Sequence, residues 1–306
     1  MRDWLRLLRV PNLATAAADA VAAYLVVAAP RVLELPPAAG WFAVLAVVCF
    51  YAGGVVLNDV CDVELDRRER PERPLPAAAV SVRSAANLAQ ALLAAGAAAA
   101  CGAAFAARSP WPALVGAGLT AAIWVYDRHA KGTPLGPLVM GACRGLAWLL
   151  GMTAAGGPAG PPQWAIPAGM AAYVAGITLY ARDEAGRSRR GTLLAGAILM
   201  AAGLALAAAC VWLPMRVAAT VAGRPLPVGT WLALWGLIAA SIVLRAVVGI
   251  LDPAPGRVRA AVGNAIMSII TLDAILVLAA CGEQWAVVVL LLLGVFVVGR
   301  QLVPPT

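Results

Sequence analysis

Residues 41–76 read WFAVLAVVCFYAGGVVLNDVCDVELDRRERPERPLP, and the change of character partway through this stretch decides the fold. From Trp41 to Leu57 no side chain carries a charge, whereas Asp59 to Arg73 is mostly charged. At 1.5 Å of rise per residue, about twenty apolar residues cross a hydrocarbon core of roughly 30 Å. The first part is therefore read as a helix inside a bilayer, and the second as the polar segment into which that helix emerges.

The same apolar length recurs along the chain, with spans expected at about 12–29, 41–60, 84–107, 111–127, 136–155, 164–182, 191–214, 230–251, 261–280 and 284–303. The last two are two spans or one broken hairpin, so nine or ten transmembrane helices are expected. Composition agrees: 62% of residues are hydrophobic and 12% charged, against about 45–50% and 25% in soluble domains. The expected fold class is an all-α integral membrane bundle forming one polytopic domain over residues 1–306. The run from Pro11 to Ala29 has no polar region after it of the kind a cleaved leader carries, and it is read as the first span. Abundant alanine and glycine suit close helix packing in lipid.

The formal charge of +8 need not imply nucleic acid, because basic residues sort to one side of a membrane. With the amino terminus inside, inside segments hold Arg2, Arg6, Arg9, Arg67, Arg68, Arg70, Arg73, Arg83, Arg128, Lys131, Arg182, Arg187, Arg189, Arg190, Arg257, Arg259 and Arg300. Outside segments hold only Arg31, Arg108, Arg216 and Arg224, while Arg144 and Arg245 lie within spans. A cytoplasmic amino terminus follows, with the loops at about 58–83 and 182–190 on the same face, in what is expected to be a bacterial cell membrane. The six cysteines have no metal-ligand spacing and His129 is the only histidine, which excludes a multi-histidine metal site or haem pair from this chain alone.

On a helix, Asn58, Asp62 and Asp66 recur every four residues and Asp59 lies three before Asp62, so these oxygen-bearing side chains share a face from which Glu64 points away. Clustered carboxylates repel one another unless a cation is present, and hard oxygen ligands suit Mg²⁺ bridging to substrate phosphates. The alternative is a solvated helix end whose acids pair with Arg67, Arg68, Arg70 and Arg73.

The pattern N-D-x-x-D-x-x-x-D at Asn58, Asp59, Asp62 and Asp66, followed by Arg73-Pro74, resembles the first aspartate-rich motif of the UbiA prenyltransferase superfamily. R-V-P-N at residues 9–12 and Y-D-R-H-A-K-G-T-P-L-G-P at residues 126–137 fall where that superfamily has comparable features. The resemblance implies a Mg²⁺-assisted transfer of a prenyl group from a prenyl diphosphate to a lipid-soluble acceptor. It implies catalytic Asp62 and Asp66, metal ligation by Asn58, Asp59, Asp62 and Asp66, and diphosphate contacts from Asn58, Arg73, Tyr126 and Lys131. The family's lysine ordinarily follows the tyrosine by four, whereas Lys131 follows Tyr126 by five, with Arg128 and His129 between. Which base reaches the substrate is open at this level.

Arg144 lies about eight residues into the fifth span, where a guanidinium normally faces a cavity or a partner in the bundle. Contact with diphosphate or an acidic substrate and an ion pair with an inward-facing acid are both open to it, and Asp273 is a second deep ionisable group. The family's second aspartate motif is altered: the region reads LYARDEAGRSRRG, with Asp183 and Glu184 adjacent and Arg187 four after Asp183. Asp183 is then the one expected metal ligand there, and the cluster Arg182, Arg187, Arg189 and Arg190, Arg187 foremost, is expected to neutralise diphosphate oxygens as guanidinium forks do, positive-inside anchoring being the alternative for Arg189 and Arg190. Two other readings remain: a UbiA-like protein that binds an isoprenoid without transferring it, and a transporter with Arg144 and Asp273 on its pathway. CDP-alcohol phosphotransferases fit poorly, because Asp62 is followed by Val63 and Glu64 instead of their D-G.

Overall fold

Prolines placed at the first helical positions start several of the helices, where a missing N–H costs nothing because that donor has no intrahelical partner. Ser81 caps another, its Oγ accepting from the Ser84 backbone N–H at 3.1 Å. The structure is a computed structural model that describes residues 2–29, 37–184, 186–209, 220–221 and 224–302. Its helices are α1 (Arg2–Leu7), α2 (Val10–Ala28), α3 (Pro37–Cys61), α4 (Val63–Glu69), α5 (Val82–Ala107), α6 (Trp111–Val125), α7 (Gly136–Ala154), α8 (Pro161–Tyr180), α9 (Arg190–Ala207), α10 (Val228–Leu251), α11 (Pro255–Cys281) and α12 (Glu283–Leu302).

All ten expected apolar runs coincide with helices, and eight of them are long and apolar enough to cross a membrane. The other two are α6, which has 15 residues and continues into a π-turn, and α8, whose run is interrupted by Pro167 and Gln163. The final pair is two helices, α11 and α12, divided at Gly282, whose φ of 84° suits glycine. Residues 210–214 of the expected seventh span, together with Arg31 and Arg216, lie outside the described residues. A two-residue backbone ladder pairs β1 (Thr220–Val221) with β2 (Arg224–Pro225) between α9 and α10.

The first span is the hub. Ala14, Ala18 and Ala22 of α2 pack into one apolar cluster with α7 to α12, whereas Ala16 and Ala20 pack into a second with α3, α5 and α7. Small side chains on both faces let α2 sit between the two halves. Large apolar residues such as Phe105, Leu237, Leu244 and Leu291 point outward, as lipid-facing surface requires.

Helices α8 and α9 approach more closely than side chains would allow. A Cβ added at Gly203 would lie 2.4 Å from the Tyr173 backbone nitrogen, and one at Gly176 would lie 2.5 Å from that of Met200. Gly203→Ala is therefore expected to lower stability by about 1–3 kcal/mol through overpacking. Thermal unfolding in detergent checks this against Gly263→Ala, whose added methyl meets nothing within 4 Å. Equal midpoints would contradict the close approach.

Candidate active site at the mouth of the bundle

The helix running out of the second span keeps nearly helical hydrogen bonding through Asp62, with Asp62 N–H donating to the Asn58 carbonyl at 3.0 Å and Asp66 N–H to the Asp62 carbonyl at 2.8 Å. At about 100° per residue, Asn58, Asp62, Asp66 and Asp59 fall within one arc of roughly 100°. What divides them is their partners: Asn58 and Asp62 line the cavity, whereas Asp59 and Asp66 turn to Arg9 and Arg73. Glu64 falls on the far side, three-quarters exposed, paired with Arg67.

Asn58 and Asp62 line a cavity of about 830 Å³. Asn58 Nδ2 donates to Asp127 Oδ1 at 2.8 Å, Lys131 Nζ donates to Asn58 Oδ1 at 3.0 Å, and the same ammonium pairs with Asp62. Oxygen-bearing side chains from α3, its exit and the end of α6 thereby gather around one cation.

The five-residue spacing of Tyr126 and Lys131 has a local explanation. Residues Tyr126–Ala130 form a π-turn, closed by the Lys131 N–H donating to the Tyr126 carbonyl at 2.9 Å. One extra residue is absorbed in a wider turn, as π-bulges at functional sites often do, so both side chains line the cavity. Arg128 instead lies over the Trp124 ring at 4.7 Å, and His129 is exposed. Lys131 is the base that reaches the cavity.

Asp59 and Asp66 are placed differently from the expectation of metal ligation, and Arg73 differently from that of diphosphate contact. Arg73 is buried and its Nη1 donates to Asp66 Oδ2 at 2.7 Å while lying 3.7 Å from Asp59 Oδ1. Arg9 Nη2 donates to Asp59 Oδ1 at 2.8 Å. These four form a clamp holding the 62–80 loop against the start of α2, and Asp59, Asp66 and Arg73 do not line the cavity. A guanidinium has already neutralised each carboxylate.

The residues of the altered second motif are likewise divided between two places. Arg182 and Glu184 line the cavity, with Arg182 Nη2 donating to the Gly132 carbonyl at 2.8 Å and Glu184 lying 3.7 Å from Arg70. Asp183 and Arg187, expected at the metal and the diphosphate, line a neighbouring polar groove with Arg189 and Thr192, and Arg182 lines both it and the cavity. The chain turns at residues 181–184, and the Ser188 N–H then docks on the Pro253 carbonyl, carrying Arg187 away from the cavity. Arg144 does line the cavity, further inside, and it pairs with Asp19.

Asp127, Arg9 and Asp19 are not among the site residues the sequence singles out, whereas Arg182 belongs to the basic cluster read there. Asp127 follows Tyr126 directly, and Asp19 is an acid in the middle of an apolar run, itself a functional signal in a membrane helix. The interior wall of the cavity is apolar, with Val47, Phe50, Leu119, Ile123, Val262, Ile266 and Ile269.

An apolar chamber inside a helical membrane bundle, opening at one end onto convergent cations and carboxylates, defines a protein that handles an amphiphile with a charged head. Residues 18–262 match the UbiA prenyltransferase family, and the chain belongs to that family. It is similar to digeranylgeranylglyceryl phosphate synthase of Metallosphaera sedula, 38% identical over 96 residues, covering 31% of this chain and 33% of that one. It is also 34% identical to the synthase of that name from Methanopyrus kandleri over 167 residues, 54% of this chain and 57% of that one. The aligned segment thus spans about a third of the first relative and just over half of the second. A UbiA homolog from Aeropyrum pernix K1 superposes with a TM-score of 0.63 at 22% identity, over 87% of this chain and 97% of that one. A UbiA homolog from Archaeoglobus fulgidus bound to GPP and Mg²⁺ gives 0.60 at 17% identity, over 94% and 99%. At these identities the two structures bear on the fold.

Proposed function

We propose that this protein transfers a prenyl group from a prenyl diphosphate to a lipid-soluble acceptor, with the diphosphate at the mouth and the chain in the apolar chamber. The observation that carries the proposal is the joining of the two in one cavity, with Asn58, Asp62, Asp127 and Lys131 at its polar end and Phe50, Ile123 and Ile269 inside. The family match and the GPP and Mg²⁺ bound to the Archaeoglobus fulgidus homolog support it.

Among the described residues, no three His, Cys, Asp or Glu side chains stand ready to hold a metal ion alone. That fits Mg²⁺ bound chiefly by phosphate oxygens and water, with one or two carboxylates from the protein. Asn58 and Asp62 would hold it, since they already surround a cation, and Asp127 orients Asn58. Bound there, Mg²⁺ would stabilise the charge on departing pyrophosphate. Lys131 and Arg182 neutralise diphosphate oxygens directly, and Tyr126 offers a hydroxyl at the same wall. The apolar wall keeps water from the electrophilic allylic carbon.

Isothermal titration of the purified protein in lipid discs with geranyl diphosphate tests this: binding is expected with Mg²⁺ and loss of at least tenfold in affinity with EDTA. Affinity unchanged by EDTA, or no binding at all, would count against the proposal.

The mouth is proposed to face the cytoplasm, as the basic bias indicates. Arg9, the 59–73 segment, Lys131, Arg182 and Glu184 meet at one end of the bundle. A cysteine introduced by Arg187→Cys is expected to react with an impermeant maleimide only after the membrane is opened. Labelling in intact cells would reverse the orientation. The curated relatives are archaeal, so the bacterial setting expected from sequence gains nothing from them.

A further inference from the structure

Beside the mouth, the turn after α8 and the start of α9 enclose a groove of about 420 Å³ lined by Arg182, Asp183, Arg187, Arg189 and Thr192, polar residues throughout. Backbone contacts fix its frame. The buried Ser188 donates its N–H to the Pro253 carbonyl at 3.3 Å and its Oγ to the Asp183 carbonyl at 3.2 Å, and Arg190 Nη2 donates to the Leu251 carbonyl at 3.1 Å. The segment carrying the arginines is thereby pinned to the turn between α10 and α11.

The cations in this groove differ from those at the mouth, where Arg9, Arg73 and Lys131 each rest on an aspartate. Among the described residues, the side chains of Asp183, Arg187, Arg189 and Thr192 make no hydrogen bond or ion pair, and the one bond of Arg182 runs from Nη2 to the Gly132 carbonyl. Three guanidiniums against one carboxylate leave the lining with a net charge of +2. Like charges gathered on a fixed frame repel one another, and an anion shared among them removes that cost.

Charge and geometry select the anion. Guanidinium forks and a threonine hydroxyl are donors that match phosphate oxygens. A phosphomonoester carries a charge of about −1.5 to −2 at pH 7, so it balances the groove, whereas a phosphodiester, with a single charge, does not. We propose that the groove binds a phosphomonoester, without a metal ion and separately from the transferred diphosphate. Arg187, four residues after Asp183, is the residue that turns this part of the altered motif from a cation site into an anion site.

Two sources present the same group. Leu194 and Ile198 of α9 point outward just beyond Thr192, so the headgroup of a phosphatidic acid would enter the groove with its acyl chains beside them. A soluble phosphate ester would enter from water. In both cases Arg182, which lines the cavity as well, puts this anion next to the mouth.

The test needs no prenyl transfer. The full chain in zwitterionic lipid discs is titrated calorimetrically with short-chain phosphatidic acid, with glycerol phosphate and with short-chain phosphatidylcholine, each in Mg²⁺ or in EDTA. Phosphomonoester binding is expected to be the same in Mg²⁺ and EDTA, and phosphatidylcholine should bind no better than to empty discs. Arg187→Ala and Arg189→Ala should each weaken binding about tenfold or more, the scale of a lost charge-assisted hydrogen bond. Arg83→Ala removes an exposed base that lines neither cavity nor groove and should leave affinity within about twofold. Asp183→Asn should tighten binding, since it removes the negative charge from the lining. Saturating geranyl thiolodiphosphate should weaken it no more than about threefold, because water-exposed charges are largely screened from each other. Tighter binding of phosphatidic acid than of glycerol phosphate assigns the lipid source and equal binding the soluble one, and either supports the proposal. A requirement for Mg²⁺ with loss in Asp183→Asn would make the groove a metal site and overturn it. Equal losses in Arg83→Ala and Arg187→Ala, full displacement by the thiolodiphosphate, or no phosphomonoester binding at all would overturn it too. None of these results touches the prenyl-transfer reading, which stands or falls on geranyl diphosphate.

Discussion

Asp62→Ala is expected to reduce prenyl-transfer turnover about 10²–10³-fold, the scale on which single preorganised electrostatic contacts act. Asp62 is the motif acid that both lines the cavity and pairs with the Lys131 ammonium. Its removal takes away an oxygen donor for Mg²⁺ and leaves Lys131 without its carboxylate partner, so the diphosphate loses both the metal and a well-placed ammonium. Mg²⁺-dependent affinity for geranyl diphosphate should fall in parallel, whereas thermal stability should change little, because the Asp62 side chain is partly exposed at the mouth. Glu64→Ala is the control: two residues away, its carboxylate faces solvent with Arg67, and turnover should stay within about twofold, as for ordinary surface changes. Steady-state kinetics on the three proteins decides. Equal losses in Asp62→Ala and Glu64→Ala would return the segment to the solvated helix end that its charge density also allowed.

How far the site can be read from sequence depends on whether local spacing or tertiary packing decides each residue. The spans are legible because a bilayer imposes a length on each helix, and α3 or α12 needs no knowledge of its neighbours to be recognised. Asn58, Asp62 and Glu64 are legible because a helix fixes their relative directions. Asp59 and Asp66 are not, since their role depends on Arg9 and Arg73 folding onto them from fifty residues upstream of Asp59 and seven downstream of Asp66. The π-turn that brings Lys131 into the cavity is likewise invisible to a count that assumes α-helical spacing. Arg187 and Arg182 look equivalent in a basic run, and only the turn at residues 181–184 and the docking of Ser188 on Pro253 separate them. Arg144 is flagged by its depth, but its partner comes from the first span, 125 positions earlier in the chain.

The division of the aspartate motif between the cavity and the Arg9–Arg73 clamp gives the second large expected effect, and it falls on folding instead of chemistry. Asp66 is 4% exposed and Arg73 is 7% exposed, and the hydrogen bond between them at 2.7 Å holds the 62–80 loop to the helix end. Asp66→Ala leaves a buried guanidinium with only the longer contact to Asp59 at 3.7 Å, which Arg9 already occupies. Breaking one partner of a buried pair typically costs about 3–5 kcal/mol, because the remaining charge stays desolvated. The expected result is a marked fall in thermal midpoint for Asp66→Ala. Much of it should be recovered in the double variant Asp66→Ala with Arg73→Met, because the second change removes the uncompensated charge while filling similar volume. Asp62→Ala, measured alongside, should keep its midpoint and lose Mg²⁺-dependent binding. The opposite pattern, with Asp66→Ala stable but deficient in Mg²⁺-dependent binding, would mean that Asp66 leaves Arg73 when the diphosphate arrives and ligates the metal as its place in the motif implies.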